Sequence, residues 1–269
     1  MNAPLIALTI AGFDTSSGAG LQADLLTFHN HGYHPLTTVT SIVVETPLKV
    51  TATEAIDPRL LQQQVSLLLE TYPVAAIKIG LLASAAQVAL LAPLLKNLHC
   101  PIVIDPVGIA STGSSLQTPD TPAAILTQLA PLATLMPPNL PEARQLLNLA
   151  PTVGAAEAAS LLEAQTGQAV LLTGGHNSPD SEELTDHLAK DGQITTFSAP
   201  RIESAAPLHG TGCVLSSALA ASLGQGHSLP IAVDKARQYL RTSLRNHQTI
   251  PHQEPLLALN HHSLTSHDQ

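Results

Sequence analysis

Residues 5–31 read LIALTIAGFDTSSGAGLQADLLTFHNH, and this stretch decides the fold. Leu5 to Ala11 is an apolar run of strand length that stops at Gly12, and Ala19 to His31 has the apolar spacing of an amphipathic helix. A strand, a short glycine-rich turn and a helix make the opening unit of a parallel sheet covered by helices. The alternation continues outward from it. Strands are predicted at Leu36 to Val44, Ala75 to Ile79 and Ile102 to Val107, with helices over Pro58 to Thr71 and Ser84 to Asn97. Asp57 and Ser84 stand where an N-cap would satisfy the first free amides of those helices.

The second half keeps the pattern and then changes it. A strand is expected near Thr134 to Met136, helices over Pro141 to Leu147 and Ala155 to Gln165, and a strand at Ala169 to Thr173 ending in Gly174 and Gly175. Leu184 to Leu188 and Ile194 to Phe197 flank Asp191 and Gly192, a turn pair that predicts an antiparallel hairpin at the sheet edge. Helices from about Gly212 to Leu223 and from Pro230 to Asn246 close the unit. The pattern holds no repeat and no linker, so residues 1–248 are read as one domain and residues 249–269 as a polar tail, partly disordered. His252, His261, His262 and His267 in that tail lack a Cys or carboxylate at ligand spacing and are read as solvated residues.

Composition excludes several function classes. With 44% hydrophobic residues in short, interrupted runs, the chain has no segment of membrane-spanning length and reads as globular. A formal charge of −9 and scattered basic residues argue against a nucleic-acid partner, and 2% aromatics with no Trp leave no stacking platform for single strands. Arg237, Arg241 and Arg245 share one helical face and are read as a solvated or subunit-facing stripe. The start of the chain has no basic region or cleavage pattern of a signal peptide. Two distant cysteines, Cys100 and Cys213, form no disulfide framework; together these features place the protein in the cytoplasm.

Chemistry concentrates where strands end, which is where open α/β sheets bind ligands. Gly12 to Gly20 follows the first strand, but it lacks both the dinucleotide glycine order and the Gly-Lys-Ser/Thr ending of a phosphate loop. The stronger signal is His209-Gly210-Thr211-Gly212-Cys213, which opens a helix of small residues. Its backbone amides would converge as an anion hole for a transferring phosphoryl group, and the same field would favour a thiolate on Cys213. Asp105, before Pro106, and the turn carrying Asn139 and Glu142 offer hard oxygens that suit Mg²⁺, usually through water. Glu142 alone reads equally as a first-turn acid favoured by the helix dipole.

Six ordered stretches carry a resemblance: Ala11-Gly12-Phe13-Asp14 with Gly18 to Asp24, Lys78-Ile79-Gly80, Asp105-Pro106-Val107, Pro138 to Ala143, Gly174-Gly175-His176, and His209 to Cys213. From first strand to last helices the chain resembles the hydroxymethylpyrimidine and phosphomethylpyrimidine kinases of thiamine biosynthesis, within the ribokinase-like fold. The resemblance implies a three-layer α-β-α sandwich around a mostly parallel sheet, with ATP as co-substrate, Mg²⁺, a small heterocyclic substrate and a homodimer. It puts the catalytic anion hole on Gly210, Thr211 and Gly212, and puts Cys213 where other ribokinase-like enzymes place a base Asp. Substrate binding would fall to Gly12, Asp14, Ala19, Asp24, Glu45 and Val107, and ATP or phosphate binding to Asn139, Thr173, Gly175 and Lys235. Asp105 and Glu142 would hold the metal.

Three departures bear on chemistry. Thr173 stands where a phosphate-contacting Lys commonly precedes Gly-Gly-His, and Ser111 stands for a second Lys after Asp-Pro-Val. Glu45 falls where the family has a Gln that grips the aminopyrimidine edge. An amide accepts and donates, whereas an ionised carboxylate only accepts, so the pairing needs one more proton or a different substrate. A pyridoxal-type kinase of the same fold follows if Glu45 accepts from a ring hydroxyl. A ligand-binding or regulatory protein without turnover follows if the missing lysines abolish transfer. Acceptor-dependent ATP hydrolysis separates the three.

Overall fold

The computed structural model describes residues 3–110, 113–176, 181–202, 209–251 and 256–261. Its first strand, β1 (Leu5–Asp14), leads into helix α1 (Gly20–Asn30) and then β2 (Tyr33–Thr46), which lies parallel to β1. β3 (Lys49–Ala55) turns back antiparallel on β2, helix α2 (Pro58–Thr71) crosses over, and β4 (Val74–Ile79) pairs parallel with the other side of β1. Helix α3 (Ala85–Leu95), β5 (Ile102–Ile104), the short helix α4 (Thr121–Ala124) and β6 (Leu135–Met136) follow, then α5 (Leu140–Leu147), α6 (Ala155–Thr166) and β7 (Ala169–Leu172). The hairpin β8 (Glu183–Lys190) and β9 (Gln193–Pro200) precedes α7 (Thr211–Gly224) and α8 (Leu229–Arg245). Among the described residues, nine strands form one sheet in the order β3-β2-β1-β4-β5-β6-β7-β8-β9.

Local chemistry explains the boundaries. The Asp57 side chain accepts from the Arg59 and Leu60 amides at 2.9 and 3.1 Å, and Pro58 opens α2 where a missing N–H costs nothing. Asp191 and Gly192 both have positive φ, 52° and 71°, the backbone that a two-residue primed turn requires between β8 and β9. Alternation along β1 splits the core in two. Leu8 and Ile10 pack with α2 and α3 residues such as Leu61 and Leu91 on one face. Ala7 packs with Phe28, Leu219 and Val233 of α1, α7 and α8 on the other. The result is the expected α-β-α sandwich.

Small residues set the spacing of the second layer. Ala218, Ala220 and Ala221 are fully buried along α7, and a Cβ on Gly224 would press on Ala76 of β4 and the Tyr33 hydroxyl. Two of the three α8 arginines, read as a solvated or subunit-facing stripe, bond within the chain, while Arg245 is exposed. Arg237 Nε donates to Asp186 Oδ2 at 2.8 Å and lies over Phe197, and Arg241 donates to the Pro200 carbonyl, so two of them clamp the edge hairpin. The described part of the tail also has structure: β10 (Gln248–Ile250) pairs antiparallel with β11 (Leu256–Ala258), and Leu257 and Leu259 are buried. His261, expected to be solvated, is buried with its Nδ1 3.3 Å from the Tyr239 hydroxyl, and His252, His262 and His267 lie outside the described residues.

Candidate active site

The parallel strands aim their C-terminal ends at one edge, and the residues singled out in the sequence form two groups there. On the β1 and β2 side, Asp14 organises its own loop. Its carboxylate accepts from the Ser16 amide and hydroxyl at 2.6 and 2.7 Å, from the Gly18 and Ala19 amides at 3.0 and 2.8 Å, and pairs with His209 Nε2 at 3.1 Å. Burial alone would raise the Asp14 pKa, but the His209 and Ser16 bonds, with Ala19, outweigh it and hold it down at about 2. The first glycine loop therefore folds onto Asp14, and its amides are not free for a ligand. Gly20, with φ of 56°, passes so close to the Gly12 carbonyl that a Cβ could not fit.

Glu45 closes this group, held by its backbone through Thr15 Oγ1 at 2.8 and 2.9 Å. One ligand atom each from Asp14, Glu45 and His209 all lie within 4.8 Å of one another. The Asp14 oxygens are already taken by hydrogen-bond donors, so the trio is a charge cluster in which His209 bonds Asp14 and Glu45 stands near both, rather than a metal seat. Burial and the Asp14 charge push the Glu45 carboxyl up to about 6 against the opposing pull of His209. Burial would lower the His209 pKa, yet its bond to Asp14 and the charges of Asp14 and Glu45 raise it overall. His209 thus joins the site, a residue that the sequence reading placed in a motif without a role.

The second group surrounds the start of α7. The first bond of that helix runs from the Val214 amide to the Gly210 carbonyl at 3.0 Å, so the amides of Thr211, Gly212 and Cys213 have no carbonyl within the helix. They open beside Asp105: a Cβ built on Gly212 would meet Asp105 Oδ2 at 3.9 Å and nothing nearer. Gly210 differs, because its φ of 84° and its approach to the Gly18 carbonyl make it a structural glycine. Asp105 accepts from Ser216 Oγ at 2.9 Å, and burial raises its pKa against the pull of Lys78 and Ser216.

Asn139 and Glu142 cap α5 reciprocally. Asn139 Oδ1 accepts from the Glu142 amide and Glu142 Oε2 accepts from the Asn139 amide, both at 2.9 Å. Burial, and then Asp105, push the Glu142 carboxyl up to about 8 against the Asn139 bonds. Thr173 bridges to Asn139 in parallel register, and Gly175 lies exposed just beyond it. Val107 sits past Asp105 at the same edge, its carbonyl taken by Gln117 Nε2 at 2.6 Å. Ser111 lies outside the described residues.

Three expectations need correction. Asp24 is fully buried: Lys78 Nζ grips both its oxygens at 2.8 and 2.9 Å, and Thr9 and Ser217 donate to it, so it cannot touch a substrate. Lys235 shares a surface pocket with His31, Ser222, Gln225 and Tyr239. That is the far end of α7, roughly 15 Å from its first turn at about 1.5 Å per residue, so Lys235 is not brought to the phosphate end. The field at the start of α7 does not win at Cys213 either. Burial, with Asp24 and Asp105, pushes the thiol up to about 12, although Lys78 and the Gly20 amide pull the other way.

Free helix-start amides over a buried carboxylate, with a second carboxylate one strand away, at the C-terminal edge of a parallel sheet, are an arrangement suited to phosphoryl transfer. The comparisons agree. The phosphomethylpyrimidine kinase family profile matches residues 14–256. A hydroxymethylpyrimidine/phosphomethylpyrimidine kinase of Rhizobium meliloti is 38% identical over 242 residues, 89% of this chain and 90% of the relative. One from Streptomyces coelicolor is 33% identical, with 88% and 87% covered. Among solved structures, an ADP complex of Bacillus subtilis pyridoxal kinase superposes with a TM-score of 0.85 at 29% identity, covering 96% and 98% of the two chains. Phosphomethylpyrimidine kinase from Clostridium difficile 630 gives 0.76 at 28% identity, covering 89% and 99%. The chain belongs to the phosphomethylpyrimidine kinase family and is a kinase of the ribokinase-like fold. No helix among the described residues is long and apolar enough to cross a membrane.

Proposed function

We propose that the chain uses ATP to phosphorylate the hydroxymethyl group of 4-amino-5-hydroxymethyl-2-methylpyrimidine, or the phosphate of its monophosphate, in thiamine biosynthesis. The observation that carries this reading is the open turn Thr211-Gly212-Cys213 above Asp105, in a chain of this family. The acceptor oxygen forms a bond to the γ-phosphorus, the bond from γ-phosphorus to the bridging oxygen breaks, and ADP leaves. The three amides of the turn face the charge that spreads over the transferring group. With the alcohol acceptor, the hydroxyl proton passes to the Cys213 sulfur. A thiol held near 12 is ionised in only a small fraction of molecules at neutral pH, so this route speeds up as pH rises. The monophosphate acceptor has no such proton to lose, and there Cys213 positions rather than accepts.

Asp105 and Glu142 fit a divalent cation. They are hard oxygen donors, each raised in proton affinity by burial, and Asp105 adds to the shift at Glu142. They would hold Mg²⁺, directly or through water, and the ion would supply neutralisation of phosphate charge. Asn139, Thr173 and Gly175 lie beside them as the ATP side, while Gly12, Ala19, Glu45 and Val107 frame the acceptor side.

Glu45 favours a second acceptor, pyridoxal, whose ring hydroxyl can donate to a carboxylate. A homodimer and a cytoplasmic setting complete the reading. Exposed Phe13, Ile42, Val44 and Leu48 beside the site are apolar surface that a second copy would cover, and both cysteines are free thiols. The test is ADP release by purified protein with Mg²⁺, ATP and each acceptor in turn. Stoichiometric formation of phosphorylated pyrimidine supports the proposal; turnover with pyridoxal alone, or none that depends on an acceptor, ends it.

A further inference from the structure

The chain leaves the sheet after β7 at a point pinned from two sides. The ladder between β7 and β8 ends at Leu172 and His187. Beyond it the Thr173 amide donates to the Pro138 carbonyl at 2.9 Å, beside Asn139, and the Gly174 amide donates to a side chain, Asp186 Oδ1, at 2.7 Å. Gly174 runs so close to β8 that a Cβ would collide with the Thr185 carbonyl oxygen. Asp186 is buried, and its other oxygen, Oδ2, accepts from Arg237 Nε at 2.8 Å. That guanidinium also lies over the Phe197 ring of β9. A carboxylate makes a stronger acceptor for an amide than a neutral carbonyl does, and burial of its charge is tolerable because Arg237 pairs with it. Gly175, the next residue, is exposed, with open space where its Cβ would stand.

We propose that Asp186 is a positioning residue for the nucleotide: oriented by Arg237 of α8, its carboxylate fixes the turn Thr173-Gly174-Gly175 where that turn meets ATP. The inference rests on the ATP side proposed above, formed by Asn139, Thr173 and Gly175. A clamp between the edge hairpin and α8 needs only the ion pair with Arg237. The second carboxylate oxygen instead holds the one amide that sets where the residues on either side of Gly174 stand. Thr173, Gly174 and Gly175 carry no charge to draw phosphate in, so their hold on a nucleotide depends on where backbone and hydroxyl are placed. In the sequence Asp186 is one polar residue of an edge strand, and nothing there ties it to the turn before the hairpin.

The test is calorimetric titration of the full chain with ADP and, separately, with hydroxymethylpyrimidine. The paired substitution Asp186→Leu with Arg237→Leu removes the acceptor for the Gly174 amide and leaves no lone buried charge. It is expected to weaken ADP about tenfold while the pyrimidine binds as in the parent. The pair Asp186→Asn with Arg237→Gln keeps an oxygen for that amide and should bring ADP affinity back to within about threefold of the parent. Should the leucine pair fail to fold, Arg237→Gln alone, which loosens the carboxylate but leaves it in place, is expected to weaken ADP about threefold and the pyrimidine not at all. A hairpin clamp without a role toward the nucleotide would lower the melting temperature and leave ADP affinity unchanged, or weaken both ligands together, and either result overturns the assignment. A parent that binds no ADP overturns the nucleotide reading as well, whereas a parent that binds it beside variants that bind it equally overturns this assignment alone.

Discussion

Replacing Glu45 by Gln removes one ionisation from the Asp14, Glu45 and His209 trio, and the structure fixes both the sign and the size of the effect. The Glu45 carboxyl titrates at about 6 in the fold, against its ordinary value of 4.5, because burial and Asp14 disfavour its charge. At roughly 1.36 kcal/mol per pH unit the shift would be about 2 kcal/mol for a fully buried group, and solvent screening of this half-buried carboxyl reduces the cost of its ionised form to about 1 kcal/mol. A raised pKa means that the folded chain holds the proton more tightly than the unfolded one. The stability from protonated Glu45 is complete below pH 4.5 and is lost as pH rises through 6. Glu45→Gln should therefore melt higher than the parent at pH 8, by roughly 2 °C, and at the same temperature as the parent at pH 4. The same substitution restores an acceptor and donor pair toward an aminopyrimidine, which should tighten its binding at pH 8 by about 1 to 3 kcal/mol and flatten the pH dependence of affinity. Melting curves and acceptor titrations at both pH values are the assay. A melting difference that is the same at pH 4 and pH 8 would refute the electrostatic reasoning, and identical affinities would take Glu45 out of ring recognition.

Cys213→Ala should lower kcat with the alcohol acceptor by on the order of 10² while leaving KM for ATP near the parent value, and should change the monophosphate reaction far less. In the parent, the alcohol rate should climb with pH between 6 and 9, because the thiol stays mostly protonated below its value of about 12; a flat profile removes Cys213 as the proton acceptor. Asp14→Asn should cost about 2 kcal/mol at neutral pH by unpairing His209 and the loop amides, an advantage that the parent itself loses as pH falls from 3.8 through 2. Urea unfolding at pH 7 and pH 2.5 measures this, and a constant gap between the proteins contradicts it.

Much of the fold was legible because its local signals agree with its packing. Asp57-Pro58 starts α2 where the sequence places the start, and Asp191-Gly192 turns the edge hairpin. β3 was missed because Lys49–Ala55 is an edge strand largely exposed on both faces, so no apolar alternation marks it. The tail hairpin was missed because its strands are three residues long and the buried residues near them, Leu257 and Leu259, are too few to make an apolar pattern. Motif order located the open turn, Asp105 and the Asn139 cap, but a motif does not say which of its members face a ligand. Asp24 belongs to the motif and is sealed under it, and Lys235 lies at the wrong end of a helix whose direction the sequence does not display. The reversed expectation at Cys213 has a related cause. The helix-start field is a local property, whereas Asp24 and Asp105 reach the sulfur from other elements, brought there only by the sheet.

The claim at the centre of this account is that phosphoryl transfer takes place at the first turn of α7. Gly212→Ala probes it with little structural cost, since the added Cβ, on a residue of the open turn, meets nothing nearer than Asp105 Oδ2 at 3.9 Å. The decisive measurement is transfer of labelled γ-phosphate from ATP to hydroxymethylpyrimidine by the parent and by Gly212→Ala, with folding of both checked by their melting curves. The account predicts labelled phosphomethylpyrimidine from the parent and a rate lower by on the order of 10² from an equally folded variant. Equal rates from the two proteins, or no labelled product from the parent, would contradict it.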